Sequence, residues 1–346
     1  MSAVRKSSSK IRKSIPLVYL LGFNLILILF LFWQYRSMFL VSVPLKNLGS
    51  EVEGSTESYV EFSGKGSDLV VPLRFAYMGH QSKLMNPLRE ELQLMIDQAK
   101  QAGGLENATV FHLQLVNGQW TEAGDRIACR AGSLLKVPIM MTWLKMAEMS
   151  QGVLSREIYF GSPSGSIPGQ TFEGSAVRSG KSYKVSELLL YMIRDSDNYA
   201  AYLLGQNMDN DLFRQLFADL GLSRPQLDDM NYALTANDYS RFFRVLFDAR
   251  YLNDASSDAA LDLLTQCTFR KGITRDLPAG LTVAHKFGEQ AEAELHLLSE
   301  AGIVYLEGNP YLLVVMTRGH DLEMQAGLIA RISAATYRFN AQVPTP

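Results

Sequence analysis

A serine and a lysine three positions apart, Ser133 and Lys136, open a set of residues able to carry out acyl transfer. On a helix that spacing brings both side chains to one face, where an amine can reach a hydroxyl. A free serine hydroxyl attacks an amide poorly and needs a proton acceptor beside it. Lysine accepts the proton only where burial or a neighbouring cation lowers its pKa. Ser196-Asp197-Asn198 adds a second hydroxyl and an amide, and Lys286-Phe287-Gly288 adds a second cation. In chain order these segments supply a nucleophile with its base, a proton relay, and a cation for an anionic group. A serine at a helix start gains further, because free N–H groups and the dipole favour negative charge there.

Each segment alone carries little weight. A Ser-x-x-Lys arises by chance about once in a few hundred residues, and Ser7 to Lys10 is a second instance in a basic stretch. Alone, Ser133 and Lys136 read as a capping serine and a surface lysine, and Ser-Asp-Asn as turn chemistry. Ser-Asp-Asn and Lys-x-Gly each occur once in the chain, and all three segments stand in order. His285 adjoins Lys286, so strand alternation turns it to the opposite face, in a structural role. His80, His112, His296 and His320 show no metal-ligand spacing. Neither a metal nor a cofactor is expected.

The flanks give the elements that must position these groups. Ala131-Gly132-Ser133 leads into Leu134, Leu135, Val137, Ile139 and Met140, a buried helix with Ser133 at its start. Ser196-Asp197-Asn198 lies between the apolar runs 188–193 and 200–204, at a helix-to-helix junction. Pro278 to His285 runs into the third segment as a short strand, and residues 302–316 read as a β-hairpin around Asn309-Pro310. Pro87 to Ala102 has helical spacing, and Asn117-Gly118 marks a hairpin between Val110–Leu115 and Gln119-Trp120. Residues 134–270 are mostly helical, strands return near Leu281, and Leu322 to Tyr337 closes the domain as a helix.

These motifs and flanks resemble those of the class A β-lactamases and penicillin-binding transpeptidases over residues 85–340. The resemblance implies an α+β fold: an antiparallel sheet formed from both ends of the domain, a helical insertion subdomain, and a catalytic cleft at their junction. It implies a nucleophile at Ser133, assisted by Lys136, Ser196 and Lys286. On the substrate side it implies Asn198, Gly288 and the backbone N–H of Glu289 as an oxyanion donor. Asp197 is expected to hold the junction together. Two departures stand out. No glutamate lies between Ser196 and Glu289, where β-lactamases of this class carry the residue that activates the deacylating water. Asp228 or Asp229 could stand in, one methylene shorter, and a misplacement of about 1 Å costs about a hundredfold in rate. Phe287 also replaces the hydroxyl residue that usually binds the substrate carboxylate.

With 346 residues, 20% of them charged, and a net charge of −2, the chain shows no broad basic field for nucleic acid. Basic charge gathers at Arg5, Lys6, Lys10, Arg12 and Lys13, just before Pro16 to Trp33, apolar except for Asn24. That run is long enough to cross a bilayer core. A signal peptide is the competing reading, but residues 34–50 lack a small-residue cleavage pattern. The expected organisation is a cytoplasmic basic tail (1–14), an N-terminal transmembrane helix (15–35), a Gly- and Ser-rich stalk (36–74) and the hydrolase domain (75–346). The positive-inside rule then predicts a single-pass cell-membrane protein with its catalytic domain outside the cytoplasm. Cys129 and Cys267 either pair or stay as two buried thiols.

The reading that follows is a membrane-anchored serine hydrolase whose partner is a β-lactam or a D-Ala-D-Ala-type peptidoglycan peptide, with slow deacylation. The alternative is a catalytically weak relative that binds a wall peptide or acts as a scaffold. A glutaminase, which shares the fold and a Ser-x-x-Lys pair, fits the other two motifs less well.

Overall fold

The computed structural model describes residues 81–161, 171–172, 174, 176–225, 232–292 and 294–342. Pro87 stands in the first turn of helix α1 (Asn86–Gln101), where its missing N–H costs nothing. Leu88, Leu92, Ile96 and Ala99 recur at helical spacing and are buried. The chain then enters β1 (Leu105–Gln114) and returns as β2 (Trp120–Gly124). Gly118 takes a φ of 72° in this turn, and the Asn117 side chain accepts from Gln119 N at 2.9 Å.

A short β3 (Cys129–Arg130) leads to a tight turn, Gly132–Leu135, and then to helix α2 (Lys136–Met149). The insertion continues through β4 (Glu157–Phe160), β5 (Lys181–Lys184), α3 (Val185–Arg194), α4 (Asn198–Asn207) and α5 (Asn210–Asp219). It ends with β6 (Ala233–Leu234), α6 (Ala236–Phe247) and α7 (Asp254–Thr265). Three long strands follow, β7 (Val283–Glu292), β8 (Leu295–Val304) and β9 (Tyr311–Gly319), before α8 (Leu322–Gln342).

Strands from both ends of the domain form one antiparallel sheet in the order β2-β1-β9-β8-β7. Successive side chains alternate between its faces. Val110, Leu313 and Val315 pack with Leu88 and Leu92 of α1 and Leu328 and Ile332 of α8. Phe111, Leu312 and Val314 pack instead with Trp143, Tyr239 and Phe243 of the insertion. The sheet is thus buried on both faces, and β7 is left at an edge facing the Ser133 turn.

The elements follow the order of the sequence reading, and β8 starts earlier, at Leu295, while short strands β4, β5 and β6 stand within the mostly helical region; two further differences bear on the site. Ser133 lies in a 3-10 turn, and the α-helix begins only at Lys136. Pro138 has no N–H with which to close an α-helical bond to the Leu134 carbonyl. That carbonyl accepts instead from the Tyr239 hydroxyl at 2.9 Å. The strand of the third motif is also longer than expected. It runs ten residues, with Pro278 to Leu281 left outside it.

The expected membrane location is corrected. Among the described residues no helix is long and apolar enough to cross a membrane. Residues 15–35, to which the anchor was assigned, lie outside the described residues, as do the tail and stalk. The two cysteines are separate, buried thiols.

Edge strand β7 approaches the nucleophile turn so closely that position 288 has no room for a side chain. A Cβ on Gly288 would stand 2.8 Å from Leu134 Cγ and 3.0 Å from Leu134 N. Gly288→Ala is therefore expected to lose about 1–3 kcal/mol of stability, as overpacked sites do. Urea denaturation checks this.

Candidate active site

Three junctions converge at one place: the turn before α2, the gap between α3 and α4, and the middle of β7. Gly132 takes a φ of 48°, a left-handed conformation that lets the chain turn sharply into Ser133. A Cβ on Gly132 would lie 3.2 Å from the Glu289 carbonyl oxygen, so β7 runs directly alongside. Ser133 is buried, and its carbonyl accepts from Lys136 N. Burial pushes the Tyr239 phenol well above its usual pKa, which keeps it a donor to the turn.

Helix α3 ends at Arg194, and α4 starts at Asn198. Between them Ser196 adopts a φ of 56°, which is uncommon for a residue with a Cβ. Strain of this kind persists only where the surroundings impose it. Here Asp197 does so. Its Oδ1 caps α4 by accepting from Ala200 N at 2.9 Å, while its Oδ2 accepts from Ala176 N at 2.6 Å and Val177 N at 2.9 Å. The Arg194 carbonyl accepts from both Thr268 N and Thr268 Oγ1, tying the end of α3 to the segment before β7.

The left-handed turn presents two oxygens of Ser196 to one amine. Lys136 Nζ donates to the Ser196 carbonyl, to Ser196 Oγ at 3.0 Å and to Asn198 Oδ1 at 2.7 Å. Lys286 Nζ reaches the same hydroxyl from the other side, at 3.0 Å, and donates to the Phe287 carbonyl at 2.9 Å. Lys286 is fully buried, and desolvation lowers its pKa to about 8, against a partial opposing pull from Cys267 and Glu300. It is thus an ammonium at neutral pH. Four of the residues singled out from sequence, Lys136, Ser196, Asn198 and Lys286, are therefore joined in one hydrogen-bonded group. Ser133, Gly288 and Glu289 are set beside it by the packing of β7 on the nucleophile turn.

Several neighbours were not evident in the sequence. The Phe287 ring stacks on Phe269, with centroids 4.4 Å apart, and Phe269 in turn leans on Phe172 at 5.4 Å. Glu289, considered above only for its backbone, uses its carboxylate to accept from Thr171 N at 2.8 Å and Phe172 N at 3.1 Å. Behind β7, His285 Nδ1 meets Glu300 Oε1 at 2.7 Å, and Glu300 Oε2 accepts from Ile273 N at 2.8 Å. This buried pair fixes the 269–273 segment against the strand. The signal for it is slight: residues 266–282 carry neither helical nor strand periodicity. Asp228 and Asp229 lie outside the described residues. Among the described residues no group of three or more His, Cys, Asp or Glu is placed to hold a metal ion.

Sheet, insertion and converging motifs define a β-lactamase-like protein of the penicillin-recognising class. Residues 87–339 match the β-lactamase enzyme family Beta-lactamase2, and the chain belongs to that family. Solved structures agree at the level of the fold. A β-lactamase from Chitinophaga pinensis superposes with a TM-score of 0.63 at 22% identity, over 73% of this chain and 99% of that one. A β-lactamase from Xanthomonas campestris gives 0.62 at 18% identity, over 73% and 98%. The structure of PBP-A gives 0.63 at 19% identity, over 76% and 99%. No curated protein matches the chain.

The triple acceptor role of Asp197 sets a clear expectation. Asp197→Ala would strand three backbone N–H groups, two of them in the 176–177 segment, at a cost of about 3 kcal/mol. Thermal and urea unfolding of the variant measure that loss.

Proposed function

We propose that this chain is a serine hydrolase that forms an acyl-enzyme on Ser133, with a β-lactam or a D-Ala-D-Ala-type wall peptide as acyl donor. Residues 75–346 would be its catalytic domain. The observation that carries this reading is the buried chain Lys136–Ser196–Lys286, two amines on one hydroxyl, whose first member directly follows the Gly132–Leu135 turn that holds Ser133.

In this mechanism Lys136 acts as the neutral amine, giving up one of its three donated hydrogen bonds to free a lone pair, and takes the proton as Ser133 Oγ attacks the amide carbonyl carbon. The carbonyl oxygen gathers negative charge between the N–H groups of Ser133 and Glu289, and Gly288 leaves the room for β7 to present the second of these. When the C–N bond breaks, the proton passes through Ser196 to the leaving nitrogen. The Lys286 ammonium holds the Ser196 hydroxyl in the orientation that this relay needs. Asn198 fixes the Lys136 amine and offers its amide to the substrate. Water then hydrolyses the ester, releasing the acid and restoring Ser133.

Two features support slow turnover. No glutamate lies between Ser196 and Glu289 to activate that water. A PBP-A mutant has been described as an acyl-enzyme complex with penicillin G, which makes a long-lived acyl-enzyme a reasonable product on this fold. One observation favours a second reading, a wall-peptide binder or scaffold with feeble catalysis. Lys286 is fully buried, so it offers no ammonium directly to a substrate carboxylate.

Incubation of the full-length chain with a fluorescent penicillin tests the proposal. Label on the wild type, absent in Ser133→Ala and persisting for many minutes, is the expected result. Serine-dependent label that clears quickly would indicate an efficient β-lactamase, and no label would favour the binder. The acylation rate should also fall as pH rises through about 8, where the Lys286 ammonium is lost. In Lys286→Ala this alkaline fall should vanish, along with most of the rate, by about 10²–10⁴-fold. Rates of labelling from pH 6 to 10 decide the point.

A further inference from the structure

Lys286 and Phe287 leave opposite faces of β7. The long Lys286 side chain nevertheless bends back along the strand. Its Nζ donates to the Phe287 carbonyl at 2.9 Å and lies over the Phe287 ring, 4.0 Å from the ring centre. We propose that Phe287 is a positioning residue of the acyl-transfer relay, the face of its ring holding the Lys286 ammonium against Ser196 Oγ. This rests on the acyl-transfer reading above and deepens it, by naming what keeps the cation of the relay in place.

A cation within about 6 Å of a ring centre is drawn to the negative face of the ring, and more strongly where water is excluded. Both side chains are buried, so the contact is made without water. The ring is itself fixed, because it stacks on Phe269 with centroids 4.4 Å apart and an interplanar angle of 22°. Phe269 follows Thr268, whose N and Oγ1 both donate to the Arg194 carbonyl, two residues before Ser196. One segment therefore places both the ring and the hydroxyl that the cation serves.

The other charges around Lys286 come from several elements. The Lys136 amine reaches the same hydroxyl from α2. Glu300 of β8 and Cys267, in the segment before β7, favour the protonated form, while desolvation lowers the pKa to about 8. Burial pushes the Cys267 thiol up from its ordinary value, so it titrates above Lys286. Glu300 is shared with His285, which meets Arg270, and the Glu289 carboxylate is taken by the N–H groups of Thr171 and Phe172. The ring face adds to the pull of Glu300 against desolvation. A hydroxyl side chain at position 287, as the resemblance implies, would offer no such face.

The test places phenylalanine analogues with one or three ring fluorines at position 287 of the full-length chain by stop-codon suppression. Fluorine draws electron density from the ring face and leaves the shape of the side chain nearly unchanged. NMR of protein carrying carbon-13-labelled lysine follows the Lys286 ε-methylene signal, assigned by its loss in Lys286→Ala. With three fluorines Lys286 is expected to titrate about one pH unit lower than in the wild type, and with one fluorine by an intermediate amount. The alkaline fall in labelling by fluorescent penicillin should move with it. An electron-poor ring still stacks on Phe269, so a purely structural role would leave both readouts in place. An unmoved Lys286 titration, or a labelling profile that stays put while Lys286 moves, would overturn the role of the ring and leave the hydrolase reading intact. No label on the wild type at any pH would overturn the hydrolase reading and the relay with it.

Discussion

The site depends on one arrangement: a single serine hydroxyl, Ser196, held between two buried lysine amines. Burying amines is costly unless every N–H finds an acceptor and the charge is answered by dipoles. Here acceptors include the Ser196 and Phe287 carbonyls, Ser196 Oγ and Asn198 Oδ1. Desolvation, the largest influence on Lys286, draws its ammonium toward the neutral amine, and Cys267 and Glu300 oppose it in part. Ser196 can meet both amines only by adopting a left-handed backbone, so the strain at that residue is part of the same arrangement.

Much of the remaining fold supplies the rigidity that this demands. Asp197 gathers three backbone N–H groups, and Arg194 and Thr268 tie the helix junction to the approach of β7. On the other side of the strand, His285 and Glu300 bury a polar pair against the 269–273 segment. Gly272 has to be a glycine for that contact, since its Cβ would lie 1.8 Å from Glu300 Oε2. Edge strands normally expose unpaired backbone groups. In this protein the edge faces the nucleophile turn, against which it packs at Gly288.

The chain departs from its family pattern at two places. On the proposed mechanism the missing glutamate bears on how quickly the ester is hydrolysed, and Phe287 stands where the resemblance implies a hydroxyl. The aromatic side chain is not an isolated substitution. It has partners in Phe269 and Phe172, and Glu289 organises the residues that carry Phe172. Phe287 is thus a core residue with its own supports at the position where the resemblance implies a hydroxyl.

The sequence alone determined the candidate site residues and the order of the elements. Ser133, Lys136, Ser196 and Lys286 were singled out because three short motifs stand in order along the chain, and α1, the Asn117-Gly118 hairpin, the β8–β9 hairpin and α8 were legible from local periodicity and turn chemistry. Those signals are written within a few residues, so no partner is needed to read them. The tertiary structure decided what depends on distant contacts. Leu134 yields its carbonyl to Tyr239, and the helix start shifts to Lys136 because Pro138 cannot close the bond. Phe287 becomes a core residue because Phe269 is folded over it. The Glu289 carboxylate turns to residues 171–172, 117 or more positions away in the chain. Such pairings leave no periodic trace, because burial and hydrogen-bond demand are settled only when the two ends of the domain close into one sheet.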